Sequence, residues 1–207
     1  MALTAIALNC TLKRNGKEPS STDKMIDLLA GEMSKRGVSL TETIRVADYD
    51  VFAGVTSDEG EGDAWPDIRK RILAADILIF GTPIWMGQMS SIAKRVLERM
   101  DAFLSETDDA GRMPSFGKVA VAGIVGNEDG AHHIAATVFQ ALNDVGWTIP
   151  SAASDYWVGE AMQDKDFKDL PQVPEPVAKG AAMLAANAVH LATVLRAQPY
   201  PGIPEAK

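Results

Sequence analysis

Only one cysteine, Cys10, occurs in the 207 residues, so no internal disulfide can form and zinc sites built from paired cysteines are excluded. Basic residues are scarce: Lys+Arg is 20 against Asp+Glu 28, a net charge of -8 at pH 7. A chain of that charge is a poor binder of nucleic acid or anionic membrane. Any anion it holds must sit in a local pocket of backbone amides and hydroxyls. Long apolar runs are missing too, since none approaches the ~20 residues of a membrane span. The most apolar late stretch, Ala181 to Leu195, is interrupted by Asn187 and His190. Met1 to Leu8 is apolar but has no basic flank and no small-residue cleavage site, so it does not read as a signal peptide. Without that signal the Asn9-Cys10-Thr11 sequon is no glycosylation site. A reducing, cytoplasmic setting is expected.

Several nucleotide and hydrolase motifs are also absent. There is no G-x-x-x-x-G-K-[ST], no G-x-G-x-x-G after the first strand and no G-x-S-x-G elbow. His132-His133 has no acidic or cysteine companion at metal spacing, so no metal site is expected.

What is present is an ordinary globular composition, 46% hydrophobic and 23% charged, enough to bury a sizeable core. Short apolar runs read as buried strands at Leu3–Leu8, Ile77–Gly81 and Val119–Val125, with an alternating strand at Val38–Val46 and a short one at Trp147–Ile149. Helical periodicity lies between them and again at Val177–Arg196. Ser20 with Asp23 three residues on opens the first helix, and Pro66 suits the first turn of the second. After Pro150 the sequence reads as irregular until the last helix. Strands apolar on both faces, alternating with helices, predict a five-stranded parallel sheet in a doubly wound, three-layer α/β/α domain. Ligands in that architecture bind beyond the carboxyl ends of the strands. The expected organisation is a domain over 1–150 and a C-terminal extension over 151–207, whose terminal helix packs on that domain.

Three strand-end loops are therefore the places for chemistry. The first runs Asn9-Cys10-Thr11-Leu12-Lys13 to Ser20-Ser21-Thr22, joining a strand to a helix N-terminus. Free amides, the helix dipole and the hydroxyls favour an anion there, while a plain capped helix explains the same residues. The second, Gly81-Thr82-Pro83-Ile84-Trp85-Met86-Gly87-Gln88-Met89-Ser90-Ser91, puts large apolar side chains where water should be. Such residues cover a flat ligand or a partner, or fold back onto their own core. The third, Gly126-Asn127-Glu128-Asp129-Gly130, allows close backbone approach or makes an ordinary turn.

Together these loops resemble those of the flavodoxin-like, FMN-binding NAD(P)H oxidoreductases, the group of NADPH-dependent FMN reductases and quinone reductases. The match spans about residues 1 to 150. It is most specific in Thr82-Pro83-Ile84-Trp85-Met86-Gly87 with Met89-Ser90 and Lys94, while Asn9-Cys10-Thr11-Leu12-Lys13 departs from the family's Gly-Ser-x-Arg opening and an insertion precedes Ser20. The resemblance implies a flavodoxin-like fold with strand order 2-1-3-4-5. It places Thr11, Lys13, Ser20, Ser21 and Thr22 around the FMN phosphate. Pro83, Ile84, Trp85, Met86 and Gly87 would flank the ribityl chain and ring, and Asn127, Glu128, Asp129 and Gly130 the ring's polar edge. NAD(P)H would be the co-substrate, a quinone, flavin or similar small molecule the acceptor, and the assembly a homodimer or homotetramer. No side chain is expected to act as a catalytic acid or base. The alternative is a flavodoxin-type electron carrier without its own NAD(P)H turnover.

Overall fold

A computed structural model describes residues 2–14, 18–161 and 163–203, so residues 15–17 in the middle of the first loop lie outside the described part. The elements run β1 (Thr4–Asn9), α1 (Ser21–Ser34), β2 (Ser39–Arg45), α2 (Trp65–Ala74), β3 (Ile77–Trp85), β4 (Gln88–Met89), α3 (Ser91–Met100), β5 (Val119–Gly126), α4 (Ala131–Asp144), β6 (Ser154–Val158) and α5 (Glu175–Ala197). The sheet order is β2-β1-β3-β5-β6, all parallel, with the two-residue β4 folded antiparallel onto the end of β3. Leaving out β4, this is the expected order 2-1-3-4-5.

Alternation along each buried strand builds two cores. Leu78, Phe80, Ala120 and Ala122 face α2, α3 and α4, whereas Ile77, Ile79, Val119 and Val121 face α1 and α5. The run Ile77–Phe80 has no polar interruption because both faces are covered. α5 is the one described helix long and apolar enough by composition to cross a membrane. That differs from the expectation that no run reaches that length, because Asn187 and His190 sit on a helix whose other residues are largely Ala, Leu and Val. Its buried side, including Ala181, Leu184, Ala185 and Ala188, packs in the second core.

The fifth strand is not where the sequence put it. At Trp147–Ile149 there is only an isolated bridge, Thr148 to Val119. Trp147 is 1% exposed and plugs the first core, and Pro150 cannot continue a ladder. The chain turns through Ala152, at φ 53, and re-enters beside β5 as β6. The segment after Pro150 thus supplies a sheet strand as well as α5.

β6 also carries an unusual acid. Asp155 is 6% exposed, its Oδ2 has no hydrogen-bond partner, and it lies against α5 at Gly180. Burial pushes its carboxyl up to about 6, against one bond from the Tyr156 amide. A raised acid pKa means that the folded state holds the proton more tightly, so stability falls as pH rises through about 4 to 6. Asp155→Asn is therefore expected to stabilise by about 1–3 kcal/mol at pH 8 and by almost nothing at pH 4. Urea unfolding at the two pH values checks this; an equal effect at both would remove the buried charge as the cause.

Candidate functional site

α1 begins as its sequence dictates. Ser20 is the N-cap: its Oγ accepts from the Asp23 amide at 3.1 Å, and the Asp23 carboxylate accepts from the Ser20 amide at 2.8 Å. Asp23 is turned away from the cleft, held by Asn9 and by an ion pair to Arg45. Arg45, 9% exposed, also reaches the Lys13 carbonyl at 3.2 Å and so braces the first loop. A carboxylate that would repel an anion is thereby neutralised. The first helical amides, which α-helical geometry leaves without partners, face the strand ends. Thr22 and Ile26 sit directly over Gly81, where a Cβ would come within 2.9 Å of Thr22 and 2.7 Å of Ile26. This close approach brings the helix start down onto the middle of β3.

The second loop is a β-hairpin. β3 runs on to Trp85, and Met86 and Gly87 turn with φ 53 and 72 before β4 pairs back. Positive φ at both central residues matches the twist of a two-residue hairpin. Trp85 is 52% exposed and Met86 89% exposed, so neither folds back onto the core. The third loop is locked to this hairpin. The Met86 and Gly87 amides donate to the two carboxylate oxygens of Glu128 at 3.0 and 3.1 Å. Gly130, at φ 133, lies so close that a Cβ there would be 2.7 Å from the Gly87 carbonyl oxygen.

These pieces enclose a cleft of about 450 Å³ lined by Thr11, Lys13, Ser20, Ser21, Thr22, Pro83, Ile84, Trp85, Val125, Gly126, Asn127, Glu128, Ala161 and Asp166. The structure thus brings together most of the residues expected from the three loops. Met86, Gly87, Asp129 and Gly130 are at the rim instead. The hairpin turn points Met86 outward, and the Met86 and Gly87 amides are already bound by Glu128. Asp129 accepts locally from the Gly130 amide at 2.7 Å. Ser20 lines the cleft, but its hydroxyl is engaged in the cap. The polar donors at this end are Thr11, Ser21, Thr22 and Lys13, the last also paired with Glu18 at 3.4 Å. Ser21 Oγ accepts from the Lys168 amide at 3.2 Å, which leaves its own proton free to donate.

Val125, Ala161 and Asp166 join the cleft from outside the three expected loops, and Gly126, expected only as a loop glycine, lines it too. Asp166 comes from the segment beyond Pro150, caps the short helix Phe167–Asp169 and accepts from Asn127 Nδ2 at 3.1 Å. Asn127 Oδ1 is buried without a partner at the same wall. Cys10 is not a nucleophile here: it is fully buried, and burial pushes its thiol far above the usual range. His132 pairs with the Tyr156 hydroxyl at 2.9 Å and His133 with Gln88 at 3.1 Å, both outside the cleft. Trp157 stacks near Phe167 and covers the sheet rather than the cleft.

A family model for NADPH-dependent FMN reductases matches residues 4–161. The chain belongs to that family. Its relatives include 8-demethyl-8-aminoriboflavin-5'-phosphate synthase of Streptomyces davaonensis, 33% identical over 97% of this chain and 81% of that protein. A crystal structure of RosB with bound 8-demethyl-8-formylriboflavin-5'-phosphate superposes with a TM-score of 0.85 at 33% identity, over 97% of this chain and 82% of that one. A protein of Mycobacterium bovis described as the divalent metal cation transporter MntH is 37% identical over 94% of this chain, which spans 29% of that relative's length. An NADH:FMN oxidoreductase shares the fold, with a TM-score of 0.63 at 19% identity over 99% of this chain and 97% of that one. The fold is thus flavodoxin-like and the family one of FMN-dependent oxidoreductases.

The cleft suits FMN on its own chemistry. One end offers hydroxyls, a lysine and a helix N-terminus, as a phosphate requires. The other offers Pro83, Ile84 and the Trp85 indole as flat apolar surface, with the unpartnered Asn127 Oδ1 at the wall.

Proposed function

We propose that this chain is a cytoplasmic FMN-dependent oxidoreductase that takes hydride from NAD(P)H and passes electrons to a quinone, a flavin or a similar acceptor. The observation that carries this reading is a single cleft joining the α1 N-terminus to the exposed Trp85 hairpin. Bound FMN supplies the redox chemistry, accepting hydride and releasing electrons to the second substrate. The chain's residues bind and orient. Thr11, Ser21 and Lys13 hold the phosphate, and Pro83, Ile84 and Trp85 flank the ring. The carboxylate of Glu128 fixes the hairpin against the third loop, so the ring's resting surface is set before the nicotinamide arrives. The half-exposed Trp85 and outward Met86 supply apolar surface that a second copy of the chain covers in a homodimer or homotetramer.

The test is anaerobic mixing of the FMN-loaded protein with NADPH or NADH. Bleaching of the flavin absorbance without any added protein supports the enzyme and excludes a carrier that depends on a separate reductase. A second reading is favoured by the likeness to the riboflavin-5'-phosphate synthase, which extends over nearly the whole chain. In that reading the flavin phosphate is itself the substrate, altered on its ring. Mass spectrometry of the flavin recovered after aerobic incubation separates them: unchanged FMN supports the first, a changed mass the second.

Trp85→Ala is expected to slow flavin reduction by NAD(P)H about tenfold, the equivalent of one lost aromatic stacking contact. Because Trp85 is 52% exposed, the apoprotein's melting temperature should move by no more than about 2 °C. Stopped-flow reduction and a melting curve on the same variant decide it. A normal reduction rate beside a large drop in melting temperature would place Trp85 in the scaffold.

A further inference from the structure

The first loop has two sides, and only one faces the flavin cleft. Thr11 and Lys13 line that cleft, whereas the intervening Leu12 and the following Arg14 line a second one of about 530 Å³. Its other walls are the segment after β2, with Tyr49 and Phe52, and the first turns of α3, with Ile92 and Arg95. Two features there are unusual for this molecule. Every other arginine in the described structure has a carboxylate at ion-pair distance. Arg14 and Arg95 have none among the described residues, and both line this cleft, in a chain of net charge -8. Arg95 gives one N–H to the Val51 carbonyl at 3.1 Å, which fixes the side chain and leaves the rest of its fork open. Asp50 also lines the cleft but bonds neither arginine. The second feature is the half-exposed apolar surface beside the guanidinium groups: Leu12 is 49%, Phe52 38% and Tyr49 37% exposed.

We propose that this second cleft is a binding site for an organic anion, a phosphate or carboxylate carried on a flat apolar body. Arg14 and Arg95 converge on the anionic group, and Phe52, Tyr49 and Leu12 receive the planar part. Arginine suits this role because its planar fork matches an oxyanion in two places and stacks on rings. The volume lies within the range for nucleotide-sized ligands. The assignment uses none of the residues that line the flavin cleft, and only its dinucleotide outcome rests on the proposed redox function. Two sources share the chemistry: the 2′-phosphoadenosine arm of a dinucleotide donor, and a separate aromatic acid.

The experiment is calorimetric titration of the full chain, flavin content recorded, with adenosine 2′-phosphate and with naphthalene-1-carboxylate as probes. At least one probe should bind the native chain. Affinity should fall about tenfold or more in Arg14→Gln and in Arg95→Gln, as loss of a charged bond implies. It should fall less in Arg95→Lys, which keeps the charge but not the planar fork, and hold in Arg36→Gln, which removes an equal charge elsewhere. Binding of adenosine 2′-phosphate, with an NADPH-over-NADH preference that disappears in the glutamine variants, identifies the donor arm. Binding of the naphthalene acid alone identifies a separate acid. Failure of both probes, or binding indifferent to Arg14 and Arg95, overturns the proposal. So does loss of FMN in step with loss of the probe, because the arginines would then serve the flavin phosphate.

Discussion

Ser21→Glu is expected to abolish FMN retention while leaving the fold intact. Ser21 is the first residue of α1, lines the cleft, and has a hydroxyl proton free to donate. A glutamate there would set a carboxylate against a doubly charged phosphate bound at this end, where partial screening still leaves several kcal/mol of repulsion. Affinity should fall at least about a hundredfold. The fold should not suffer, because an acidic side chain in the first helical turn favours the helix dipole. Ser21→Ala is the graded control: it removes one hydrogen bond, about 1 kcal/mol, and should weaken FMN about fivefold. The flavin-to-protein ratio, a fluorescence titration of the apoprotein and its melting temperature are the readouts. Native affinity in the glutamate variant would move the phosphate away from the α1 N-terminus.

That prediction rests on a part of the site legible in sequence. The Ser20–Asp23 capping pair fixes where α1 begins, and the uninterrupted Ile77–Phe80 and Val119–Val125 runs fix the central strands. What could not be read has identifiable physical reasons. β6 carries no strand signal in sequence because it is an edge strand: Ser154 and Asp155 interrupt any apolar run, and Tyr156 and Val158 face outward. The hairpin reads as a loop in sequence because Pro83 and Gly87 punctuate it. Its turn also puts methionine at a positive φ, in place of the Asn or Asp expected there. Asp166 and Ala161 reach the cleft only through tertiary folding of a segment without pattern. The same holds for Arg14 and Arg95, which are far apart in sequence and share a cleft only because the first loop and α3 meet.

Arg99→Met tests how the long acidic loop between β2 and α2 is held. Gly, Asp and Glu residues dominate this loop, and of its apolar residues Val46 and Val51 join the first core near its start. Arg99 of α3 holds the rest of it by polar contacts. Its side chain is 0% exposed, pairs with the equally buried Asp63 at 2.7 Å, and donates to the Thr56 and Phe52 carbonyls at 3.1 and 3.0 Å. Burial alone would raise the Asp63 carboxyl, but Arg99 and the Glu59, Trp65 and Phe52 amides outweigh it and hold it well below the usual range. Replacing Arg99 with methionine leaves that carboxylate buried without a counter-ion and two carbonyls without donors. Breaking one side of such a pair costs about 3–5 kcal/mol, which for a domain of this size means a melting temperature lower by about 6–20 °C. Asp63→Asn added to Arg99→Met removes the orphaned charge, so the double variant should recover part of the loss. The flavin cleft does not include the loop, so folded Arg99→Met protein should retain FMN at native stoichiometry. The organic-anion cleft does include it, through Val51 and Phe52, so probe affinity there should fall. Because Asp63 has a lowered pKa, the native chain keeps this contribution at neutral pH and loses it as the pH drops below about 4. The gap in stability between native and Arg99→Met chains should therefore narrow in acid. A gap that stays constant from pH 7 to pH 3 would mean that the methionine variant fails by misfit of its side chain and not by stranding the Asp63 charge.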